Sequence, residues 1–239
     1  MEIISSRLRT LSASITRASE TSYWVDQLTQ KYGIEPKFDN GVHDAYTLVR
    51  NIFIVFSKLP TKLVKDCGIN TLMFRTDMGP NKPYYPNHGY FKDHLVALNA
   101  DIFYHPDNPE DFVDNQGYYL TRAEQTVLHE FGHGYDANQG KDKDLSLEPG
   151  WLSLSGWSET KKPGLERLVI QDPGVPKVIG EWWYDPKEKF TRFYAKRNPW
   201  DDWADTFSYY VANMNDITPP KKKVYFDNLL GHYYKTLPR

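Results

Sequence analysis

The stretch Leu128-His129-Glu130-Phe131-Gly132-His133 decides how this chain of 239 residues is read. It contains H-E-x-x-H. On a helix, residues four apart lie about 40° apart around the axis and roughly 6 Å apart along it, so the imidazoles of His129 and His133 can reach one metal ion. Glu130 then stands beside the metal rather than on it, where a base must sit to take a proton from a metal-activated water.

The surrounding residues predict that helix. Thr121 and Glu124 form an S/T-x-x-E capping box, and Ala123, Val127, Leu128, Phe131 and Tyr135 supply an apolar band broad enough for a buried helix. Gly140 is a plausible stop. Gly132 and Gly134 each weaken the helix by up to about 1 kcal/mol relative to Ala, so their presence points to another backbone packed close against them.

Composition sets the bounds. The chain is 40% hydrophobic and 15% aromatic, which is globular and rich enough for a large core. Twenty-nine basic residues against 31 acidic ones leave a formal charge of −2, which gives no electrostatic case for binding nucleic acid. A lone cysteine, Cys67, excludes an internal disulfide and a thiolate metal cluster, and reads as a buried small hydrophobe. No run of 18 apolar residues occurs, so no integral membrane helix is expected. The first twenty residues, with Arg7, Arg9 and Arg17 among serines, do not read as a secretory signal; a transit-peptide composition and an ordinary amphipathic helix both fit them. The compartment stays open between cytosolic and exported, toxin-like locations.

Along the chain, Glu20 to Tyr32 is expected to be helical, ending near Gly33 and Pro36. A second helix is expected from His43 or Asp44 to Lys58, although its run Ile52 to Phe56 would also suit a strand. Thr71 to Arg75 reads as a short strand, Met78 to Tyr90 as a long loop dense in Gly, Pro and Asn, and His94 to Phe103 as a second strand. A Pro- and Asp-rich loop, His105 to Gly117, leads to the motif helix. Gly140 to Lys162 reads as a surface excursion, with a lid as the alternative, and Glu181-Trp182-Trp183-Tyr184 as core packing or a substrate wall. Asp201 to Asn213 is a strongly patterned helix preceded by Pro199, and Lys221 to Leu237 is a last helix with Val224, Phe226, Leu229, Leu230 and Tyr233 mostly inward. Residues 1–36 are expected to form an N-terminal helical segment and 37–239 the site-bearing domain, unless the two run on as one.

Two imidazoles do not complete a catalytic zinc site, which typically has three protein ligands. Gln139 stands where a metzincin would place its third ligand, so that class is set aside. A carboxylate from a later helix is the alternative: Asp201 and Asp205 share a face of one, and Glu181 is a further candidate.

The motif with Asp136 three residues beyond it, together with Tyr194 and Asp201-Asp202-Trp203-Ala204-Asp205-Thr206-Phe207, resembles the catalytic domain of anthrax lethal factor and its relatives, the Pro-Pro endopeptidases among them. In that family a tyrosine stands seven positions before the carboxylate ligand and a second carboxylate four positions after it. Tyr194, Asp201 and Asp205 keep both intervals. The resemblance implies an α+β, zincin-like metalloprotease fold, with a small mixed sheet whose edge strand packs on the HExxH helix and a mainly helical C-terminal part. It further implies that His129, His133 and Asp201 bind one zinc ion per chain. Glu130 would be the base and Tyr194 an aid to the oxyanion, with Asp205 and Asp136 in support behind the ligands. The family's two carboxylates are usually glutamates. Both are aspartates here, each shorter by roughly 1.5 Å, so the ligand-bearing helix must sit closer.

The expected activity is zinc-dependent hydrolysis of peptide bonds in a peptide or protein substrate. The alternative is a catalytically silent zinc- or peptide-binding module on the same fold, against which the intact Glu130 speaks. The strand through Leu95, Ala97 and Asn99 is expected to be the edge to which a substrate adds by main-chain pairing.

Overall fold

The computed structural model describes residues 2–78, 88–104, 121–172, 175–178, 180, 182–214 and 218–235. The expected loop His105 to Gly117 and the candidate Glu181 lie outside these residues.

The first helix, α1 (Glu2–Tyr32), is far longer than its patterned part. It stops at Gly33, whose φ of 77° is open to a residue without Cβ, and whose N–H returns to the Thr29 carbonyl. The chain then enters β1 (Glu35–Phe38), a strand that the sequence reading did not anticipate because Pro36 looked like a breaker. The expected boundary at residue 36 falls inside β1. Leu28, Tyr32 and Ile34 share one core with the helices that follow.

α2 (Ala45–Ser57) settles the ambiguity over Ile52 to Phe56 in favour of helix. Asp44 caps it, accepting from the Thr47 N–H at 3.2 Å and the Thr47 hydroxyl at 2.7 Å. A short α3 (Thr61–Asp66) leads to β2 (Thr71–Arg75), the strand expected there. β3 (Gly89–Lys92) and β4 (Leu95–Asn99) follow, then α4 (Asp101–Tyr104).

These four strands form one sheet in the order β1-β2-β4-β3, parallel except for the antiparallel β3–β4 hairpin. The order overturns one expectation. β4, with Leu95, Ala97 and Asn99, is not the edge; it is paired with β2 on one side and β3 on the other, so its backbone has no free rim to offer a peptide. The edge is β3. The hairpin turns through Asp93 and His94 at φ 48° and 65°. Both left-handed positions are those of a tight two-residue turn, here without the glycine that usually signals it.

The motif helix α5 (Arg122–Gln139) runs behind this edge, started by the predicted capping box: the Thr121 hydroxyl accepts from the Glu124 N–H at 3.1 Å, and the Glu124 carboxylate accepts from the Thr121 N–H at 3.1 Å. Phe131 packs on Phe56 of α2 with ring centroids 4.5 Å apart, while Tyr135 stacks on Trp203 at 5.9 Å.

The expected surface excursion is instead packed structure. A 3-10 turn at Leu145–Leu147 and α6 (Pro149–Ser155) carry Trp151 into the main core, where it is fully buried. β5 (Trp157–Ser158) pairs with β8 (Trp183–Tyr184), and Trp157, Trp182 and Tyr184 make a second small core with Phe190 against it. Trp182 and Tyr184 are therefore packing rather than a substrate wall, while the half-buried Trp183 lies beneath the Arg167 guanidinium at 4.7 Å. Between them β6 (Val169–Asp172) and β7 (Val175–Val178) form a hairpin. The chain closes with α7 (Pro199–Val211) and α8 (Pro220–Tyr234), and Val224 of α8 points outward, 57% exposed, against the inward placement expected for it.

The class is α+β, with a small mixed sheet ahead of a mainly helical C-terminal part. Among the described residues, no helix is long and apolar enough to cross a membrane.

Candidate metal centre

α5 and α7 pack so tightly that their backbones nearly touch. A methyl group on Gly132 would lie 2.9 Å from the Ala204 Cα, and one on Gly134 would lie 2.6 Å from the Cys67 carbonyl oxygen. The two glycines thus remove side-chain bulk where another backbone must come close, as their place in a buried helix suggested. This proximity is what lets a short carboxylate on α7 reach the histidines on α5.

His129 and His133 stand one turn apart with their ring planes at 89°. The His129 Nε2 and His133 Nε2 atoms are 3.1 Å apart, and Asp201 Oδ1 is 3.6 Å from each. Metal–nitrogen bonds of about 2.0–2.1 Å in a tetrahedral site imply ligand separations of roughly 3.3 Å. The triangle therefore fits a tetrahedral cation with one vertex left for water or substrate. Once both imidazoles present an unprotonated Nε2, the three ligand atoms are all acceptors, and a bound cation would offset their mutual repulsion. His129, His133 and Asp201 form a group that could hold a metal ion.

Two of the three ligands, Asp201 and His129, are braced from behind. Asn198 caps α7, accepting from the Asp201 N–H at 2.7 Å, and its own Nδ2 donates to Asp201 Oδ2 at 2.9 Å. With Oδ2 held in this way, Oδ1 is left facing the histidines. One turn further, Asp205 Oδ1 accepts from His129 Nδ1 at 2.7 Å, which fixes the tautomer that leaves Nε2 as the ligand atom. Gln125 Nε2 also donates to Asp205 Oδ1, at 3.1 Å, and Arg192 grips both carboxylate oxygens through Nε at 2.7 Å and Nη2 at 2.6 Å.

The electrostatics follow from burial and these contacts. Burial opposes the charge on Asp201, but the two histidines outweigh it and hold the carboxyl below its usual range. Asp205 is likewise held low by Arg192 and His129 against its own burial. Burial pushes His129 down, yet Asp205 and Asp201 raise it to about 10 when no metal competes for Nε2. Glu130 is 6% exposed, and burial lifts its carboxyl above the normal value despite the nearby histidines. Tyr194 is raised by burial and by Asp201.

All of these groups but Asp205 and Arg192 line one cavity of about 340 Å³, bounded by Gly89, Tyr90 and Phe91 of β3, by His129, Glu130 and His133, and by Tyr194, Arg197 and Asp201. β3 touches the base directly: a methyl on Gly89 would fall 2.9 Å from both Cγ and Oε1 of Glu130. Tyr194 lies across the site, its ring 5.9 Å from that of His129, and its hydroxyl accepts from Arg197 Nη1 at 2.8 Å.

Of the residues expected at the site, His129, Glu130, His133, Tyr194 and Asp201 converge on this cavity, and Asp205 stands behind His129. Asp136 borders the cavity and accepts from the Ser146 N–H at 2.7 Å, tying down the turn after α5. Leu95, Ala97 and Asn99 are not among the cavity's walls. The Asn99 side chain is spent on the Asp101 N–H at 3.0 Å and the Met78 carbonyl at 3.3 Å. Arg192, Asn198 and Gln125 went unrecognised. Gln125 lies one turn before His129 on the same face, and Asn198 directly before Pro199 is an N-cap signal, so both could have been read. Arg192 has no such signal.

No family model matches the chain, and no curated protein matches it. Among solved structures, one from Bacteroides caccae ATCC 43185, described as a candidate zinc-binding metallo-peptidase, is similar to it at 13% identity with a TM-score of 0.38, over 92% of this chain and 85% of that one.

Proposed function

We propose that this chain is a zinc-dependent metalloendopeptidase. The observation that carries the reading is the meeting of three ligand atoms, a buried carboxyl and a phenol on one cavity. His129, His133 and Asp201 would hold the ion, and Asp205 would orient His129 through Nδ1. When bound, zinc supplies a Lewis acid that lowers the pKa of a coordinated water from 15.7 to about 7 and polarises a carbonyl.

The remaining work falls to the chain's own side chains. Glu130, beside the ligands and shielded by the Gly89 backbone, takes the proton from the attacking water as the new C–O bond forms. It then passes that proton to the amide nitrogen as the C–N bond breaks. A carboxyl lifted by burial suits both transfers better than an ordinary one would. Tyr194 keeps its proton across neutral pH and can donate Oη–H to the carbonyl oxygen as negative charge develops there, a role typically worth a factor of about 10²–10³. Arg197 already donates to the Tyr194 oxygen, leaving the phenolic hydrogen for another acceptor.

The peptide would lie along the outer rim of β3, which no described strand occupies, pairing with its main chain so that the scissile carbonyl faces Glu130. The lethal-factor-like motif spacing supports the same assignment of roles, with aspartates in place of glutamates.

The test is Glu130→Ala. It should keep its zinc and lose cleavage of a proteome-derived peptide library; a variant that retains zinc and cleaves as fast as the parent would show that the base is wrongly assigned.

A further inference from the structure

Arg192 lies in the coil between β8 and the 3-10 turn Tyr194–Lys196, outside any recognised motif. Its guanidinium makes two contacts that join separate parts of the site. Nε and Nη2 fork onto the fully buried carboxylate of Asp205, which in turn accepts from His129 Nδ1. The same guanidinium carbon sits 5.0 Å from the centroid of the Tyr194 ring. The side chain is 29% exposed, so it is anchored at its inner end rather than sealed in.

We propose that Arg192 is a positioning residue, tying the His129 side of the metal site to the segment that carries Tyr194. The inference rests on the zinc reading above. Its physical basis is planarity. A guanidinium held by two parallel hydrogen bonds fixes the plane of the carboxylate it grips. The plane of Asp205 fixes the hydrogen bond from His129 Nδ1, and that bond sets the direction in which Nε2 points. At its other face the guanidinium seats the electron-rich Tyr194 ring by cation–π attraction. Lysine carries the charge but cannot copy the fork. Arg192 also balances the charge of the buried Asp205 carboxylate, to which Gln125 and the His129 N–H donate as well.

Zinc affinity provides the test, by competition with a chromophoric chelator on the folded chain. Arg192→Met should bind zinc about 10–100-fold more weakly, the range usual for lost support behind a metal ligand, and Arg192→Lys should fall between it and the parent. In an Asp205→Asn background Arg192→Met should bring no further loss, because its effect on the ion runs through that carboxylate. At saturating zinc, amide exchange over Tyr194–Arg197 should slow in the parent and not in Arg192→Met. Parent-like affinity in Arg192→Met, a full additional loss in the Asp205→Asn background, or equal slowing of exchange in both chains would each overturn the proposal. If Arg192→Met does not fold, Arg192→Lys decides: weaker binding supports the role and parent-like binding removes it. A parent that takes up zinc but cleaves no peptide defeats the peptidase reading alone, whereas a parent that takes up no zinc defeats both.

Discussion

Gly132 of α5 and Ala204 of α7 meet backbone to backbone, with room for nothing larger than hydrogen at Gly132. Ala204 lies three residues beyond Asp201 on the same helix, so this contact sets how far the aspartate must reach.

Gly132→Ala should therefore separate the helices. The added methyl gains up to about 1 kcal/mol in helix propensity, but it meets backbone rather than a flexible side chain, and overpacking of that kind costs about 1–3 kcal/mol. Thermal melts should show a net loss of stability, and zinc binding should weaken. Asp201→Glu added to Gly132→Ala should recover part of the zinc affinity, because one extra methylene spans the wider gap. If the double variant binds no better than Gly132→Ala, helix separation is not what limits the aspartate.

The contact of Gly89 with Glu130 predicts a different signature. Gly89→Ala places its methyl against Oε1 and Cγ of Glu130 and against Thr126 Cγ2, all at 2.9 Å. The carboxylate must move, while none of the three atoms nearest the new group belongs to the ligands His129, His133 and Asp201. The kcat should drop toward the loss of 10²–10⁴ typical of a displaced general base, with zinc affinity unchanged in a parallel titration. A fall in zinc affinity matching the fall in kcat would mean that the strand supports the ligands instead.

Behind the site, Lys222 of α8 donates to both oxygens of Asp202, at 2.5 and 2.8 Å, and the indole of Trp157 donates to the same carboxylate at 3.0 Å. Burial pushes Lys222 down and Asp202 up, and each group's charge offsets the other's shift. Lys222→Met should cost about 3–5 kcal/mol in denaturant unfolding by stranding a buried carboxylate, and Lys222→Met with Asp202→Asn should cost less than the single change. A double variant as unstable as the single one would place the loss in packing against Phe190, whose ring centroid lies 4.4 Å from Lys222 Nζ.

Asp136 supplies a pH dependence. Burial raises its carboxyl from 3.8 to about 7, although the Ser146 N–H pulls the other way. The folded pKa lies above the unfolded one, so the folded state holds the proton more tightly, and this group's contribution to stability is greatest below about pH 4 and is lost as pH rises to about 7. In the chelator-treated chain, Asp136→Asn should gain on the parent as pH climbs through that window, by at most about 4 kcal/mol at the top. A stability difference that stays level from pH 4 to 7 would show that Asp136 ionises normally.

Local signals made the helices of the site legible. Thr121 with Glu124 marked the start of α5, and Pro199 with the aromatic face from Trp200 to Val211 marked α7. Spacing within each helix placed His129, Glu130 and His133 together, and Asp201 one turn before Asp205. Contacts made across the chain were not legible. Arg192 reaches Asp205 from irregular coil, where no periodicity points a side chain anywhere. The sheet order was hidden as well, because Asp93-His94 makes a tight turn without the expected Asn-Gly or Asp-Gly, so the β3–β4 hairpin merged into a loop and one long strand. Trp151 and Trp157 sit in a polar stretch whose composition resembles a surface loop, and their burial depends on aromatic partners from Trp182, Tyr184, Trp203 and Phe226.

The central claim is that an aspartate at 201 completes a zinc site with the two histidines of the motif. Anomalous diffraction from zinc-loaded crystals, measured on both sides of the zinc absorption edge, tests it most directly. The account predicts one peak per chain within about 2.0–2.2 Å of His129 Nε2, His133 Nε2 and an Asp201 carboxylate oxygen, with Asp205 still on His129 Nδ1. A peak bonded to Asp205 in place of Asp201, or no peak between α5 and α7, would contradict it.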